Sequence, residues 1–156
     1  MDKILIVEDD EVVRDYLSEI LSALGYEPIT AADGDDGLKK FQKNDLSMVL
    51  TDIRMPIMDG LSMLKRMRSE NPSIPIIVIT GFPTVDSAVE SLVAGADYYL
   101  VKPINVDDLK AKIHKAFEKR KMFTNLIFHK RINRILFFII PIWILLGFII
   151  ARLIYF

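Results

Sequence analysis

The chain has 156 residues, enough for one ordinary domain and an appendage, and its formal net charge is −1. This near-neutral charge provides no overall field that would favour nucleic acid. Cysteine is absent, which excludes a disulfide scaffold and a thiolate metal site. No secretory signal pattern is visible at the N-terminus, so we expect a reducing cytoplasmic setting for the first part of the chain.

Four short apolar runs and one weaker one predict the strands. The four are near-continuous stretches of aliphatic or aromatic residues, which are typical of strands buried on both faces. They lie at residues 4–7, 48–51, 76–79 and 98–101. A shorter strand is predicted around residues 28–30.

Each predicted strand is followed by apolar residues at helical spacing. The predicted helices cover 12–24, 34–43, 60–70 and 85–94, and a last one follows Asn105. Thr84 and Asn105 are predicted N-caps, and Gly25 and Gly95 are predicted to end their helices. Val12, Tyr16 and Val106 are counted among the apolar residues of these helix faces. Five strand–helix units joined by right-handed crossovers predict a doubly wound α/β sandwich with a five-stranded parallel sheet.

Polar residues follow the predicted strands at the points where they end. Residues 8–10 (Glu-Asp-Asp) follow the first strand, Asp52 and Thr80 end two others, and Lys102 follows the last. Ligands of open parallel sheets bind outside the carboxyl ends of the strands. Three carboxylates (those of Asp9, Asp10 and Asp52), a hydroxyl and an ammonium are therefore predicted to converge in one cleft.

This set of groups suits a divalent cation and a phosphoryl group. Asp52 has the chemistry of a nucleophile that forms an acyl phosphate. Mg²⁺ prefers oxygen ligands, so Asp10 and Asp52 are predicted direct ligands, with Asp9 acting through a water. Lys102 is predicted to offset the negative charge and bind a phosphoryl oxygen, and Thr80 to donate its hydroxyl to another.

Four motifs carry a family resemblance. They are ILIVEDD at 4–10, VLTDIRMPIMDG at 49–60, VITGF at 78–82 and DYYLVKP at 97–103. On these motifs the first 120 residues resemble the receiver domain of bacterial response regulators. The resemblance implies a flavodoxin-like (βα)5 fold, and we place the receiver at 1–121.

The resemblance also implies roles for the residues of the cleft. Asp52 would be the phosphoacceptor, and Lys102 would contact the phosphoryl group. Asp9 and Asp10 would help to hold Mg²⁺, with the backbone carbonyl of Arg54 as a further metal ligand.

A switch pair is implied as well. Thr80 would be the switch hydroxyl, and Tyr99 the aromatic residue that changes exposure with it. Tyr98 and Tyr99 are adjacent in a predicted strand, so they should face opposite sides of the sheet.

Two positions tune the lifetime of the phosphorylated state in this family, and Arg54 and Phe82 occupy them here. A bulky aromatic near the acyl phosphate would obstruct the attacking water and slow its hydrolysis. The alternative is that Phe82 simply packs against the following helix.

The resemblance implies that a histidine kinase or a phosphotransfer protein donates the phosphoryl group. A downstream protein would read the face built by the fourth helix, fifth strand and fifth helix. No nucleic acid partner is expected, and a phosphorylation-dependent homodimer stays open. The chain is not expected to be an enzyme, and would only assist its own phosphoryl transfer and dephosphorylation.

After residue 121 the composition changes. Residues 122–134 are predicted to be a basic juxtamembrane linker, and residues 135–156 a transmembrane helix that contains Arg152. Interfacial insertion and a protein-buried helix are the alternatives, although the segment has no polar face. The expected location is the inner (cytoplasmic) membrane, with the receiver on the cytoplasmic side and the lipid bilayer as a partner.

The sequence therefore predicts a membrane-anchored, stand-alone receiver that signals by protein contact. A relay or phosphate-sink receiver, or a degenerate one used only for binding, is the alternative. A haloacid-dehalogenase-like phosphohydrolase would also use an Asp nucleophile with Mg²⁺. It expects a D-x-D pair after the first strand, whereas Asp9 and Asp10 are adjacent, and no cap domain is recognisable.

Overall fold

Five short strands of mainly aliphatic and β-branched residues form one parallel sheet in the computed structural model, which describes residues 1–122. The strands are β1 (Lys3–Val7), β2 (Glu27–Ala31), β3 (Met48–Asp52), β4 (Ile76–Thr80) and β5 (Tyr98–Val101). Their order across the sheet is β2-β1-β3-β4-β5. The predicted parallel sheet is therefore confirmed. The central strands β3 and β4 are buried along their whole length, as their continuous apolar sequences require.

Five helical segments connect or follow the strands within the described part of the chain. They are α1 (Glu11–Ala23), α2 (Gly34–Lys43), α3 (Gly60–Glu70), α4 (Val85–Ala94) and α5, which is helical over residues 106–122. The Thr84 hydroxyl accepts the Ser87 N–H at the start of α4, and Asn105 caps α5 through the Asp108 N–H at 3.0 Å. Gly95 ends α4 with a φ of 106°, a backbone conformation that favours glycine. These predicted caps are confirmed.

Two apolar layers lie on opposite faces of the sheet. Because side chains alternate along a strand, Ile4 and Ile6 enter one layer while Leu5 and Val7 enter the other. The first layer packs against α1 and α5, and the second packs mainly against α3. This arrangement is the predicted doubly wound sandwich.

The predicted apolar helix faces were too wide. Val12 is 77% exposed and Tyr16 is 46% exposed, while their neighbours Val13 and Leu17 face the core. Successive residues on a helix are about 100° apart, and here Val12 and Tyr16 lie outside the stripe that Val13 and Leu17 turn toward the sheet. Val106, in the first turn of α5, is also exposed.

The residues Met1–Arg120 form one compact unit. Most of the predicted linker and all of the predicted transmembrane helix at 135–156 lie outside the described residues. Between residues 1 and 122, the structure contains no helix with both the length and the apolar character that a membrane span requires.

The loop after β3 folds back closely on the end of that strand. The Gly60 N–H donates to the Ile53 carbonyl at 2.9 Å, and a β-carbon at Gly60 would lie 1.9 Å from the Asp52 carbonyl oxygen. No side chain fits there without a movement of the backbone. Glycine at this position therefore determines how closely the loop approaches Asp52.

We expect Gly60→Ala to lower the free energy of unfolding by about 1–3 kcal/mol, because the added methyl group meets backbone rather than a flexible side chain. Denaturation in urea measures the change. Gly81→Ala is the matched control, since the nearest atom to its new β-carbon would be the Lys102 Cδ at 3.8 Å, an ordinary contact. Equal stability of the two variants would contradict the account.

Candidate functional site

Three carboxylates meet at the carboxyl ends of β1 and β3. Glu8, Asp9 and Asp52 each offer an oxygen, and these oxygens all lie within 4.8 Å of one another. Glu8 and Asp52 are buried, whereas Asp9 is exposed. The site lies where the chain leaves neighbouring strands toward opposite faces of the sheet, which is where open α/β folds bind ligands.

The Lys102 ammonium bridges two of the carboxylates. Its Nζ donates to both oxygens of Glu8, at 2.8 and 2.7 Å, and to Oδ2 of Asp52 at 2.7 Å. Lys102 follows β5, two strands away from β3, so this contact joins distant parts of the sheet. The bridge gives the two buried carboxylates a shared counter-charge.

Burial acts on the pKa values of Glu8 and Lys102 in opposite directions. Burial raises the pKa of Glu8, and the hydrogen bond and charge of Lys102 offset only part of that effect. Burial lowers the pKa of Lys102, but its hydrogen bonds to Asp52 and Glu8 outweigh burial, so the net shift is upward. Lys102 is therefore held as a cation.

Both oxygens of Asp52 are held in place. Oδ1 accepts the backbone N–H groups of Ile53 and Arg54, the latter at 3.3 Å. Oδ2 accepts from Lys102. These charge-assisted hydrogen bonds fix the orientation of the carboxylate at the strand end.

Thr80 ends β4 beside this group and is fully buried. Its hydroxyl accepts the Phe82 N–H at 3.2 Å, and its carbonyl accepts the Lys102 N–H at 2.8 Å. In the parallel register Asp52 pairs with Ile79, so Thr80 lies at the same edge of the sheet. The structure thus places Asp52, Thr80 and Lys102 at one edge, as predicted.

Two loop residues form a further contact at this edge. The guanidinium carbon of Arg54 lies 4.8 Å from the centre of the Phe82 ring, a cation–π geometry. Phe82 is 64% exposed. Arg54 lies two residues after Asp52, and Phe82 lies two residues after Thr80, so the pair joins the two loops that border the site.

Tyr98 and Tyr99 face opposite sides of the sheet, as their adjacency predicted. Tyr98 packs in the layer of α1 and α5, and Tyr99 in the layer of α3. The Tyr99 hydroxyl lies 2.9 Å from the Ser87 hydroxyl on α4.

Asp10 does not join the cluster, so the predicted geometry was wrong at this residue. Its side chain accepts the Val12 N–H at 2.9 Å and the Val13 N–H at 3.3 Å, as the N-cap of α1. The chain turns into the helix directly after Asp9, and Glu8 provides the third carboxylate instead. Aspartate just before a helical apolar pattern is a preferred N-cap, and this signal was available in the sequence.

The donor set fits a hard divalent cation. Three carboxylates against one ammonium leave excess negative charge, and carboxylate oxygens are the ligands that Mg²⁺ prefers. The same oxygens border Asp52, so a cation held there would lie beside any phosphoryl group that Asp52 carried.

Comparisons with curated proteins point to one family. The chain is 41% identical over 113 residues to the transcriptional regulatory protein ZraR of Salmonella typhimurium, a match that covers 72% of this chain and 26% of ZraR. It is 38% identical over 122 residues to the regulatory protein AtoC of Escherichia coli, with 78% and 26% covered. The chain therefore spans about a quarter of the length of these relatives.

Solved structures give the same result. A response regulator receiver domain protein from Clostridium thermocellum matches with a TM-score of 0.75 and 30% identity, covering 79% of this chain and 99% of that one. The response regulator TrrA from Thermotoga maritima, solved in complex with Mg(2+)-BeF, matches with a TM-score of 0.69 and 38% identity, covering 74% and 99%.

The family model described as the response regulator receiver domain matches residues 4–114, which is most of the chain. The fold and the acidic cluster beside Lys102 at the strand ends agree with that match. The chain belongs to the family of receiver domains of two-component response regulators.

Proposed function

We propose that this chain accepts a phosphoryl group on Asp52 from a histidine kinase or a phosphotransfer protein, with Mg²⁺ as cofactor, and signals by contact with another protein. The observation that carries the proposal is the cluster in which Lys102 bridges Glu8 and Asp52 beside Asp9. Any catalysis is limited to the phosphoryl transfer and dephosphorylation of the chain itself.

Asp52 is the nucleophile of the proposed transfer. One of its carboxylate oxygens forms a bond to phosphorus while the bond from phosphorus to the donor nitrogen breaks, which yields an acyl phosphate. Lys102 is already within hydrogen-bond distance of Asp52 and would bind a phosphoryl oxygen as charge moves onto that group. Thr80 uses its hydroxyl oxygen to accept the Phe82 N–H, so its proton is free of that bond for a second phosphoryl oxygen.

Oxygens of Glu8, Asp9 and Asp52 would hold Mg²⁺, and the family resemblance adds the backbone carbonyl of Arg54. A bound cation would neutralise part of the negative charge of the phosphoryl group. Glu8 takes the place that the sequence had suggested for Asp10, whose Oδ1 accepts two backbone N–H groups in the first turn of α1.

Asp52→Asn should abolish phosphate incorporation from labelled acetyl phosphate in the presence of Mg²⁺, because an amide oxygen is a poor nucleophile. Asp10→Asn is the control, since asparagine caps a helix as well as aspartate does and incorporation should persist. Labelling retained in Asp52→Asn, or abolished in Asp10→Asn, would contradict the assignment. Absence of labelling in the unaltered chain would favour the degenerate receiver.

The contact between Arg54 and Phe82 bears on the lifetime of the phosphorylated state. The two side chains come from the loops that border Asp52 and Thr80, where a bulky ring would obstruct a water that attacks the acyl phosphate. We infer slow hydrolysis in the absence of a dephosphorylating partner.

Phe82→Ala should shorten the half-life of phosphorylated Asp52 several-fold, because the ring and the position of Arg54 over it are both lost. Release of labelled phosphate from the purified phosphoprotein measures this half-life. Val85→Ala is the matched control, since Val85 is also exposed and lies three residues further along. An unchanged half-life in Phe82→Ala would assign the ring to packing alone.

The proposed output surface combines α4, β5 and α5. Leu92, Val101 and Val106, one from each element, expose apolar side chains with exposed fractions of 54%, 42% and 38%. Exposed apolar side chains on these three elements offer a protein partner apolar area to bury. That partner is either a downstream protein at the membrane or a second phosphorylated copy of the chain.

Membrane anchoring is the part of the proposal that rests on sequence. Residues 135–156 carry one charged residue, Arg152, and a basic stretch precedes them. We propose that this segment places the receiver on the cytoplasmic side of the inner membrane.

The full-length chain should sediment with membranes and require detergent for release, whereas a chain truncated after residue 122 should stay in the supernatant. High salt serves as the control, because it releases a chain bound only through basic residues. A full-length chain that stays soluble without detergent would overturn the anchor.

A further inference from the structure

Helix α4 is attached to the domain in an unusual way. Its one fully buried side chain is Ser91, while its larger apolar side chains point outward. The exposed fractions of Val85, Val89, Leu92 and Val93 lie between 53% and 83%. Apolar burial, which normally holds an amphipathic helix on its sheet, therefore contributes little along most of α4.

The C-terminal end of α4 is held by hydrogen bonds from neighbouring elements. The Arg68 Nε donates to the Gly95 carbonyl at 2.8 Å, and the same guanidinium pairs with Asp97 at 2.8 Å. The Ala96 N–H donates to the Ser91 carbonyl at 2.9 Å. This end of the helix is thus tied to both α3 and the start of β5.

The N-terminal end of α4 is capped by the hydroxyls of Thr84 and Ser87. The Ser87 Oγ accepts the Thr84 N–H at 3.1 Å and lies 3.0 Å from the Thr84 carbonyl, which completes a capping box with the Thr84 hydroxyl. The same Oγ lies 2.9 Å from the Tyr99 hydroxyl. The Ser87 Oγ therefore contacts both the first turn of α4 and the side chain of Tyr99 on β5.

The number of protons on the Ser87 hydroxyl bears on which group donates in its contact with Tyr99. A serine hydroxyl has one proton and two acceptor lone pairs. If Ser87 donates to the Thr84 carbonyl, it accepts both the Thr84 N–H and the Tyr99 O–H. In that arrangement the tyrosine supplies the second donor, and the capping box keeps both of its own bonds.

We propose that Ser87 is a positioning residue through which the side-chain orientation of Tyr99 sets the stability of the first turn of α4. With the tyrosine hydroxyl in contact, the turn is tied to β5; when the hydroxyl leaves, the N-terminal half of the helix is held by its own cap alone. The use of this coupling in signalling rests on the proposed function, because phosphorylation of Asp52 would have to move Tyr99.

Amide hydrogen exchange of the full-length chain in detergent, without phosphorylation, tests the coupling. Tyr99→Phe should speed exchange in peptides that cover residues 84–92 by roughly two- to ten-fold, the effect of losing one hydrogen bond. Tyr98→Phe is the matched control, because it removes a hydroxyl from the neighbouring residue in the other layer. Its exchange over 84–92 should match the unaltered chain.

Two serine variants complete the test. Ser87→Ala should speed exchange at least as much as Tyr99→Phe, and adding Tyr99→Phe to it should have no further effect. Ser87→Thr keeps the hydroxyl, so exchange should stay near that of the unaltered chain and Tyr99→Phe should regain its full effect. Unchanged exchange in Tyr99→Phe, or independent effects of the two substitutions, would overturn the coupling.

Phosphorylation is measured separately, so that the two proposals fail in distinguishable ways. If acetyl phosphate labels the chain, exchange over 84–92 should rise on labelling in the unaltered chain and rise less in Tyr99→Phe. An equal rise in both would show that the phosphorylated state does not act through the tyrosine hydroxyl. If no label is incorporated, the proposed function fails, while the exchange of the unphosphorylated variants still decides whether Ser87 couples Tyr99 to α4.

Discussion

The bridge from Lys102 to Glu8 and Asp52 is the interaction on which the rest of the site depends. Two buried carboxylates beside a third would repel one another, and one ammonium held by three hydrogen bonds offsets part of that repulsion. The bridge also depends on the order of the strands, because Glu8 follows β1, Asp52 ends β3, and Lys102 follows β5. The order β2-β1-β3-β4-β5 is what brings these three chain segments to one edge. The strand order therefore places the ammonium where it can balance the two buried carboxylates.

Much of this arrangement follows from sequence, because buried parallel strands leave a strong pattern. Their continuous apolar runs predict where each strand ends, and the residues at those ends include Asp52, Thr80 and Lys102. Asp10 could not be placed by the same rule, since a shift of one residue at a strand–helix junction moves a side chain from the cleft to a helix cap. The outward apolar side chains of α4 were also beyond the sequence pattern, because valine and leucine predict burial and only tertiary contacts show otherwise.

The strands and the loops contribute different things to the site. Strand ends hold the charged groups at fixed distances, so the chemistry tolerates little change there. The loop after β3 leads into Gly60 at the start of α3, which allows the close turn at Asp52. The loops after β3 and β4 supply the contact between Arg54 and Phe82. The side chains of Arg54 and Phe82 are exposed and border the site without belonging to its acidic cluster. One scaffold can therefore keep its phosphoryl chemistry while its timing varies.

The outward face of α4 has a thermodynamic consequence for whatever binds there. A partner that covers its valines would gain apolar burial that the isolated domain forgoes, and would hold the helix in whichever position it recognises. Linkage then operates in both directions: if the modified state binds this partner more tightly by some factor, the bound partner favours the modified state by the same factor. The occupancy of Asp52 would thus report the abundance of the partner as well as the activity of the donor. A receiver whose exposed helix bound such a partner would therefore respond to two concentrations, that of the partner and that of the donor.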